Sequence, residues 1–413
     1  MKKNEIKSVL LLGVGGISMY QLALAYLNLG CVVYGYDLKK SKYTELCRAK
    51  GAHITHRFNK EFLNVDLCVK SGAIKDTNKY VQMLKKIKCP IIDRAKALGE
   101  FCTHFKCVIA VAGTHGKSTT ASLIYEILRV ANKKVSCHIG ADVFAPMFNL
   151  GDDFLVVEAC EFNKSFLQLK PTISVVTNIE AEHMDCYGSL FNLRAAFLTF
   201  LKRGIKRFVY LDKSTSFLKR TKNIEFVSDT IKNIHPKLKG EYNLKNISLA
   251  CAVTKFLGID ERLTKKVVNN FTGLPRRYEY KGMYKKAKVY IDYAHHPTEL
   301  KSFISTFVGE NPDACIVFQP HTYSRTKIFL TDFISVLKTV KNLCIYKEYP
   351  ARERPTEGMS AHDLYVELKK INPSVKYVAS IKGAMKHIKN VKAVAFVGAG
   401  DINQVAQKIV ERN

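Results

Sequence analysis

One segment restricts the possible folds of this 413-residue chain more than any other: an apolar strand that runs into a glycine-rich turn and then a helix. The strand is expected over Cys107–Ala112, the turn follows at 113–116, and the helix continues to about Val130. Backbone N–H groups in such a turn can surround a phosphate, and the N-terminus of the helix adds a favourable dipole. The segment therefore predicts a phosphate-binding loop at the edge of a parallel sheet.

The side chains of the turn indicate ATP as the ligand. Lys117 would reach the β- and γ-phosphates, and the hydroxyl of Ser118 would bind Mg²⁺. The full pattern G-x-x-x-x-G-K-[ST] is not met, because Val111 occupies the position of its first glycine. A glycine turn with an incidental lysine is the alternative, and the strand before it and the helix after it favour the ATP site. We assign ATP binding to Gly113, Thr114, His115, Gly116, Lys117, Ser118 and Thr119.

The composition is that of a folded protein with an excess of positive charge. Hydrophobic residues are 47% and charged residues 24% of the chain, which excludes a disordered, collagen-like or coiled-coil protein as a global description. The formal net charge is +29, and such an excess attracts anionic partners. The basic residues are scattered, however, so we attribute the charge mainly to a lysine-rich composition and secondarily to an acidic small substrate. We expect no nucleic-acid partner.

The cysteine pattern and the hydropathy indicate a cytoplasmic protein. The twelve cysteines form no C-x-x-C pair or regular framework, which favours free thiols in a reducing compartment over disulfides or zinc fingers. Lys2, Lys3 and Lys7 precede an apolar run, as in a signal peptide, but glycines interrupt the run and no A-x-A-like site closes it. No other stretch approaches 18 uninterrupted apolar residues, so we expect no membrane partner.

The N-terminal segment begins with another strand, turn and helix, in which the strand lies at 8–12. The glycines of its turn are Gly13, Gly15 and Gly16. They resemble a dinucleotide-binding turn, although Ser18 stands at the place of the third glycine. Asp37 ends the next strand, where an acidic residue would meet a ribose. NAD and a nucleoside diphosphate would use the same turn, so these residues leave the ligand open, and a turn that binds nothing is the alternative.

Polar side chains follow two further strands of the central segment. Glu161 comes after a strand at 154–158, and His183 comes after a strand at 173–178. Because the carboxyl ends of parallel strands meet at one edge of a sheet, we expect both side chains near Ser118. They could complete a Mg²⁺ shell, although Mg²⁺ prefers oxygen ligands and the histidine is the less expected donor.

The C-terminal segment places polar residues after its strands in the same way. The strands are expected at 288–292, 315–319, 343–346 and 393–398. Asp292 and two adjacent histidines follow the first strand, and His321 and Arg325 follow the second. Adjacent side chains on a strand point to opposite faces, so substrate or phosphate contacts are favoured over a metal site at the paired histidines. Arg277 could clamp phosphates or a carboxylate, with an interdomain ion pair as the alternative.

Together these residues resemble the Mur ligase family along almost the whole chain. The matching segments are 13–19, 71–74, 94–95, 113–120, 158–161, 177–185, 243–246, 274–277, 292–299, 319–326, 349–353 and 398–402. A dozen motifs in the right order are far more specific than any one of them. The chain departs from the family at Tyr242, where histidine is usual, and at Ser118, where threonine is commoner.

The resemblance implies a three-domain fold of the α/β class. It consists of a Rossmann-like N-terminal domain for a UDP-sugar, a central P-loop-type ATPase domain with a mostly parallel sheet, and a Rossmann-like C-terminal domain that closes for catalysis. We set the boundaries at 1–105, 106–274 and 275–413. The implied activity uses ATP and Mg²⁺ to join L-alanine to the lactyl carboxylate of UDP-N-acetylmuramate through an acyl phosphate, in peptidoglycan precursor synthesis.

The resemblance also implies roles for individual residues. Those expected to be catalytic are Lys117, Glu161 and His183. Ser118 and Glu161 would hold one Mg²⁺ ion, and His183 would hold a second. Further ATP contacts are expected at Asn243, Asn246, Arg277 and Asp292. The residues expected to bind the UDP-sugar are Gly13, Gly15, Gly16, Asp37 and Ser71. Those expected to bind the amino acid are His321 and Arg325.

Two features favour the alanine-adding branch within this family. The segment 319–325 resembles that branch rather than the ligase that recycles a murein tripeptide, and Phe197 occupies the place of a carbamylated lysine that later-acting members usually carry. The recycling ligase and a non-ligase P-loop nucleotide-binding protein are the alternatives. The last would need a basic stripe with interleaved aromatic residues, which the sequence lacks. A monomer and a homodimer both remain open.

Overall fold

The computed structural model describes residues 6–141, 149, 152–228, 233–351, 353–355, 358–388 and 390–411. These residues form three sheets covered by helices, which confirms the α/β class expected from the sequence. The strands expected from the sequence are all present, with small shifts at their ends. Arg352, in the motif at 349–353, lies outside the described residues.

The first sheet has five strands, and all neighbouring strands in it are parallel. Its elements are β1 (Ser8–Leu12), α1 (Ile17–Asn28), β2 (Val32–Tyr36), α2 (Lys42–Ala49), β3 (His53–Thr55), a 3₁₀ helix (Lys60–Leu63), β4 (Leu67–Lys70), α3 (Lys79–Lys86), β5 (Ile91–Asp93) and α4 (Arg94–Cys102). Residues 9–12 of β1 are wholly buried, as expected for a strand covered on both faces. The order β3-β2-β1-β4-β5 reverses direction beside β1, and ligands bind at such a switch point.

The second sheet has six parallel strands, with β6 near its centre. Its elements are β6 (Cys107–Ala112), α5 (Lys117–Val130), β7 (Val135–His138), β8 (Phe154–Glu158), a 3₁₀ helix (Phe162–Gln168), β9 (Ile173–Val176), α6 (Met184–Tyr187), α7 (Leu190–Arg203), β10 (Lys206–Tyr210), a 3₁₀ helix (Ser216–Arg220), β11 (Glu225–Val227), α8 (Glu241–Phe256) and α9 (Glu261–Asn270). The order β11-β10-β9-β6-β8-β7 puts the end of β6 between the ends of β8 and β9. Side chains that follow those strands therefore lie beside the phosphate loop.

The third sheet also has six strands. Its elements are β12 (Glu279–Tyr284), β13 (Ala287–Asp292), α10 (Pro297–Glu310), β14 (Cys315–Phe318), α11 (Tyr323–Ile328), α12 (Leu330–Leu337), β15 (Asn342–Tyr346), α13 (Ala361–Ile371), β16 (Lys376–Val378), α14 (Ile381–His387), β17 (Ala393–Val397) and α15 (Ile402–Val410). The order is β12-β13-β17-β14-β15-β16. All pairs are parallel except β12 with β13, which form an antiparallel hairpin. The edge strand β12 was not predicted from the sequence.

The chain divides into two compact units. One comprises Met1–His235 with Leu244–Phe271 and holds the first two sheets. The other comprises Pro236–Asn243 with Thr272–Asn413 and holds the third. The domain boundaries at 105/106 and 274/275 remain predictions. Among the residues described above, none of the helices combines the length and apolar character needed to cross a bilayer.

All twelve cysteines are free thiols, and none of them is exposed. Eight are buried and four are partly buried. They are distributed over all three sheets, with Cys68 in β4, Cys137 in β7 and Cys315 in β14. Burial raises the pKa of Cys68 above that of an ordinary thiol. The eight buried cysteines are thus part of the apolar core, as expected for reduced thiols.

Candidate active site

The phosphate loop between β6 and α5 needs glycine at both of its ends. Gly113 has a φ of 143°, and a Cβ there would overlap Oγ1 of Thr177, which follows β9. Gly116 has a φ of 80°, and a Cβ there would overlap Oδ1 of Asn246. Both φ values lie in the region that favours glycine. Because Thr177 and Asn246 lie so close, neither position has room for a side chain.

Asn178 holds the middle of the loop in place. Its Oδ1 accepts the N–H of His115 at 2.9 Å, and its Nδ2 donates to the carbonyl of His115 at 3.0 Å. The carbonyl of Asn178 accepts the N–H of Thr114 at 3.1 Å. The hydroxyl of Thr114 accepts the N–H of Glu180 at 2.8 Å. The segment after β9 therefore fixes the loop before any ligand binds, which is the preorganisation that a phosphate site requires.

Lys117, the first residue of α5, forms a buried ion pair with Glu161. Its Nζ lies 3.2 Å from Oε1 and 3.1 Å from Oε2 of Glu161, and it donates to the carbonyls of Gly113 at 2.5 Å and Thr114 at 2.9 Å. The side chains of Lys117 and Glu161 are 13% and 2% exposed. Burial, the largest single effect, lowers the pKa of Lys117, but the charge and hydrogen bond of Glu161, together with Cys160 and Glu158, outweigh it and the pKa is raised. A fully charged ammonium is therefore fixed against the loop.

Ser118, the second residue of α5, hydrogen-bonds to a carboxylate on the neighbouring strand. Its Oγ donates to Oε2 of Glu158 at 2.9 Å, and the same oxygen accepts the N–H of Gly140 at 2.8 Å. Glu158 ends β8 and pairs in register with Val111 of β6. Two carboxylates thus contact the first turn of α5: Glu158 bonds to Ser118, and Glu161 pairs with Lys117.

His183 lies close to the same carboxylate as Lys117. Its Nε2 is 3.7 Å from Oε1 of Glu161, and its ring packs edge-on against Phe162 with the centroids 4.9 Å apart. His183 has a φ of 56°, which is uncommon outside glycine, and it immediately precedes α6. Tyr187, at the end of α6, donates its hydroxyl to the carbonyl of Glu161 at 2.6 Å. The short helix α6 therefore holds His183 beside Glu161.

These side chains offer the donor types that Mg²⁺ binds. Ser118 supplies a hydroxyl, Glu158 and Glu161 supply carboxylates, and His183 supplies an imidazole nitrogen. Oε2 of Glu161 is buried and accepts no hydrogen bond from the described residues, although Nζ of Lys117 lies 3.1 Å away. A buried carboxylate oxygen with lone pairs to spare suits a hard cation. The residues present therefore fit Mg²⁺.

The loop after β1 brings together all five residues expected to bind the UDP-sugar. Gly13 has a φ of 83°, and a Cβ there would overlap Oγ of Ser71, which follows β4. The N–H of Gly15 donates to Oδ2 of Asp37 at 2.9 Å. Gly16 is exposed, and a Cβ there would meet nothing within 4 Å. This group lies at the switch point of the first sheet, with Gly16 at the N-terminus of α1.

In the second unit, Asp292 is buried at the end of β13. Its Oδ1 accepts the N–H of Ala294 and its Oδ2 accepts the N–H of Tyr278, both at 2.8 Å. Burial raises the pKa of Asp292 to about 6, although Arg277 and the two N–H donors act to lower it. Burial alone would lower the pKa of Arg277, but Glu299, 3.6 Å away, and Asp292 raise it. The buried carboxyl of Asp292 and the partly buried guanidinium of Arg277 thus form one charged cluster.

The two asparagines expected to contact ATP lie in different units. Asn246 lies beside Gly116 in the first unit, as described above. Asn243 lies in the second unit, where its Nδ2 donates to the carbonyl of Lys239 at 2.6 Å. Next to it, burial raises the pKa of Tyr242, and the charge of Asp292 adds to the effect. The tyrosine in place of the family's usual histidine is therefore part of the Asp292 cluster.

The two residues expected to bind the amino acid contact each other. NH1 of Arg325 lies 3.2 Å from Nδ1 of His321, and because a guanidinium only donates, the imidazole accepts there. The ring of His321 stacks on Tyr349 with the centroids 5.6 Å apart. Gln319, at the end of β14, donates to Oδ1 of Asp401 at 2.8 Å and accepts the N–H of Ile402 at 3.0 Å. These contacts fix the loop that presents His321 and Arg325.

Two residues with clear contacts at the phosphate loop had no role assigned from the sequence. Asn178 was missed because its importance lies in hydrogen bonds to the backbone of the loop. Glu158 lies in the motif at 158–161, but its contact with Ser118 was not predicted. Both directly follow or end strands that neighbour β6, so the expected order of a parallel sheet was the signal that could have found them.

Comparison with known families accounts for most of the chain. Three family models match: "Mur ligase family, catalytic domain" over residues 8–106, "Mur ligase middle domain" over 111–223, and "Mur ligase, glutamate ligase domain" over 276–400. The UDP-N-acetylmuramate–L-alanine ligase of Aquifex aeolicus is 32% identical, with 100% of this chain and 99% of the relative covered. The enzyme of the same name from Acetivibrio thermocellus is 31% identical, with 99% and 96% covered.

Solved structures have the same fold. The UDP-N-acetylmuramate–alanine ligase of Thermotoga maritima is similar with a TM-score of 0.83 at 23% identity, and 98% of each chain is covered. A murein peptide ligase from Psychrobacter arcticus is similar with a TM-score of 0.70 at 19% identity, again with 98% of each chain covered. On the three matching domains and the full-length relatives, this chain belongs to the Mur ligase family.

Proposed function

We propose that this protein joins L-alanine to the lactyl carboxylate of UDP-N-acetylmuramate at the expense of ATP, in the synthesis of peptidoglycan precursors. The relatives that match it over their whole length carry that activity in their names. The observation that carries the proposal is the buried pair of Lys117 and Glu161 at a preformed phosphate loop. A charged ammonium in that position is what transfer of a phosphoryl group needs.

The first step activates the carboxylate. An oxygen of the lactyl carboxylate attacks the γ-phosphorus of ATP, the bond from that phosphorus to the β,γ-bridging oxygen breaks, and ADP leaves. Lys117 neutralises charge on the transferring group, and the N–H groups of the loop at 113–116 hold the phosphates in line. The product of the step is an acyl phosphate.

The second step forms the amide bond. The amine nitrogen of L-alanine attacks the acyl carbon, the bond from that carbon to the phosphate oxygen breaks, and the amine gives up a proton. Arg325, held by His321, would bind the carboxylate of the amino acid through a charge-assisted hydrogen bond. Acyl phosphates react with water, so the site must exclude it during this step.

Mg²⁺ belongs to the proposal as the ion that accompanies ATP. Ser118 and Glu161 would hold one ion and His183 a second, and the bound metal would offset the negative charge of the triphosphate. Glu158 keeps the hydroxyl of Ser118 at the mouth of the loop. The chain's own contribution is thus to orient two oxygen donors before the nucleotide arrives.

The remaining residues would bind the UDP-sugar and the rest of ATP. The glycine loop of the first sheet, with Asp37 and Ser71, would bind the UDP moiety, whose diphosphate suits the N-terminus of α1. By the family resemblance, further contacts with ATP would come from Asn243, Asn246, Arg277 and Asp292. We infer that the enzyme works in the cytoplasm, because all twelve cysteines are free thiols. A monomer or a homodimer is compatible with this function.

Release of ADP tests the proposal directly. The protein is incubated with Mg-ATP and with UDP-N-acetylmuramate, L-alanine, both or neither, and ADP is measured by a coupled assay. We expect turnover only with both, and a product heavier than the UDP-sugar by one alanine residue. Turnover with a murein tripeptide but not with alanine would identify a recycling ligase instead. ADP release that does not depend on the UDP-sugar would refute both the alanine-adding and the recycling ligase activity.

A further inference from the structure

Ser18 connects the glycine loop of the first sheet to the second sheet. It is the second residue of α1, where a dinucleotide-binding turn would have its third glycine. Its Oγ accepts a hydrogen bond from NH1 of Arg94 at 3.0 Å and lies 3.0 Å from Nε2 of His138. Because the guanidinium only donates, the hydroxyl proton of Ser18 remains available for the imidazole. A glycine at this position could make neither contact.

His138 is the last residue of β7 and is 3% exposed. Burial, together with the nearby charge of Arg94, lowers its pKa to about 3. The ring is therefore neutral, and its Nε2 contacts Ser18 in either tautomer: it accepts from the hydroxyl at 3.0 Å or donates to the backbone carbonyl at 3.3 Å. Gln21, one turn further along α1, donates to the carbonyl of Ile139 at 3.0 Å, and both residues are buried. One face of α1 thus holds two consecutive residues at the end of β7.

The next residue continues the connection to the phosphate loop. The N–H of Gly140 donates to Oε2 of Glu158 at 2.8 Å, and that oxygen also accepts the hydroxyl of Ser118 at 2.9 Å. A Cβ on Gly140 would lie only 3.1 Å from the same oxygen. A contiguous series of contacts therefore runs from Ser18 to Ser118, through residues 138–140 and Glu158. It joins the first turn of α1 to the first turn of α5 within one compact unit.

We propose that Ser18, His138 and Glu158 are positioning residues that couple binding of the UDP-sugar to the orientation of the Ser118 hydroxyl at the ATP site. This inference rests on the proposed function and adds a regulation of the same site to it. A diphosphate bound at the N-terminus of α1 restrains Ser18, and the restraint passes through residues 138–140 to the carboxylate that accepts from Ser118. The hydroxyl then has two arrangements, bonded to Glu158 or turned toward the nucleotide, and each ligand favours one of them.

Binding measurements with both ligands test this coupling. Isothermal calorimetry gives the Kd of UDP-N-acetylmuramate alone and in the presence of Mg²⁺ with a non-hydrolysable ATP analogue. For the native protein we expect the two values to differ by a factor of about 5 to 150, the usual range for coupled sites. His138→Ala should bring this factor to about one, because it removes the imidazole from the series, and Ser18→Gly should reduce the factor, because only the backbone carbonyl of residue 18 is left to contact His138. His138→Gln, whose amide can still reach Ser18, should retain most of the coupling.

Ser136→Ala is the matched control. Ser136 lies on the same strand, is fully buried, and donates to Oδ2 of Asp152 at 2.7 Å, outside the series. Both this variant and His138→Ala should lower the melting temperature, but only His138→Ala should lose the coupling. Equal loss of coupling in the control, or a factor of one in the native protein, overturns the inference. If the native protein binds neither ligand, the proposed function is refuted and the coupling with it.

Discussion

Replacing Lys117 by methionine should destabilise the protein because it leaves a charge without its partner. Glu161 is 2% exposed and the side chain of Lys117 is 13% exposed, so water cannot replace the ammonium. Removing one partner of a buried ion pair costs about 3–5 kcal/mol. The carbonyls of Gly113 and Thr114 also lose the donor that they share. We therefore expect Lys117→Met to lower the free energy of unfolding by about 3–5 kcal/mol at neutral pH.

A double variant separates the charge from the packing. In Lys117→Met with Glu161→Met no buried charge remains, and replacing both partners of such a pair with apolar side chains of similar volume is often close to neutral. The two carbonyls still lack a donor, so recovery should be incomplete. We expect the free energy of unfolding of the double variant to be within about 2 kcal/mol of that of the native protein and higher than that of the single variant. Both variants should lose ligation by a factor of at least about 100, because no ammonium remains at the phosphoryl group.

Urea unfolding followed by circular dichroism, at one pH and salt concentration, provides the free energies. Lys106→Met is the control, since Lys106 forms an exposed pair with Asp153 at 2.7 Å, and it should change neither stability nor activity measurably. The reasoning fails if Lys117→Met is as stable as the native protein. It also fails if the double variant is no more stable than the single one, because Glu161 would then not depend on the ammonium.

The pKa of about 6 at Asp292 means that the folded protein binds a proton there that the unfolded chain, with a pKa of 3.8, does not. The stability of the native protein relative to Asp292→Asn should therefore rise as the pH falls from 7 to 4, by about 2 kcal/mol in urea titrations, and a flat difference would exclude the shift. Gly113→Ala should weaken binding of an ATP analogue at least about tenfold in calorimetry, since its Cβ would overlap Thr177 and its φ is 143°, whereas Gly309→Ala, with open space around it, should not. Arg325→Ala should lower kcat/KM for L-alanine by about 10- to 150-fold and leave the KM for ATP nearly unchanged. Equal effects on both substrates would exclude a role for Arg325 in binding the amino acid.

Much of the fold could be predicted because its determinants are local. The apolar run at 107–112, the glycines after it and the helix at Lys117 are adjacent in the sequence, and each is typical of one structure. The central strands were predicted for the same reason, since parallel strands buried on both faces are continuous apolar runs. β12, in which only the last of six residues is buried, has no such run. An edge strand of this kind depends on its neighbour in the sheet, which the sequence does not reveal.

The sequence named candidate residues for the site, but it did not predict their contacts. Glu161 was expected near Ser118, whereas the structure pairs it with Lys117 and gives Ser118 to Glu158. A carboxylate can bind either the ammonium of Lys117 or the hydroxyl of Ser118. Which of them it binds depends on side-chain rotamers and burial, which no local sequence pattern encodes. The contact of Ser18 with His138 joins residues 120 positions apart. No periodicity or spacing links two such positions, so only the folded chain reveals that they meet.

The buried thiols can report when each of the three sheets opens. Cys68, Cys137 and Cys315 lie on strands of three different sheets and are 0%, 0% and 1% exposed. An alkylating reagent cannot reach any of them until the strand that carries it separates from its neighbours. Brief exposure to the reagent, followed by mass spectrometry of the peptides, would therefore time the opening of each sheet separately. The order in which the parts of this enzyme come apart can be recorded without introducing a single foreign label.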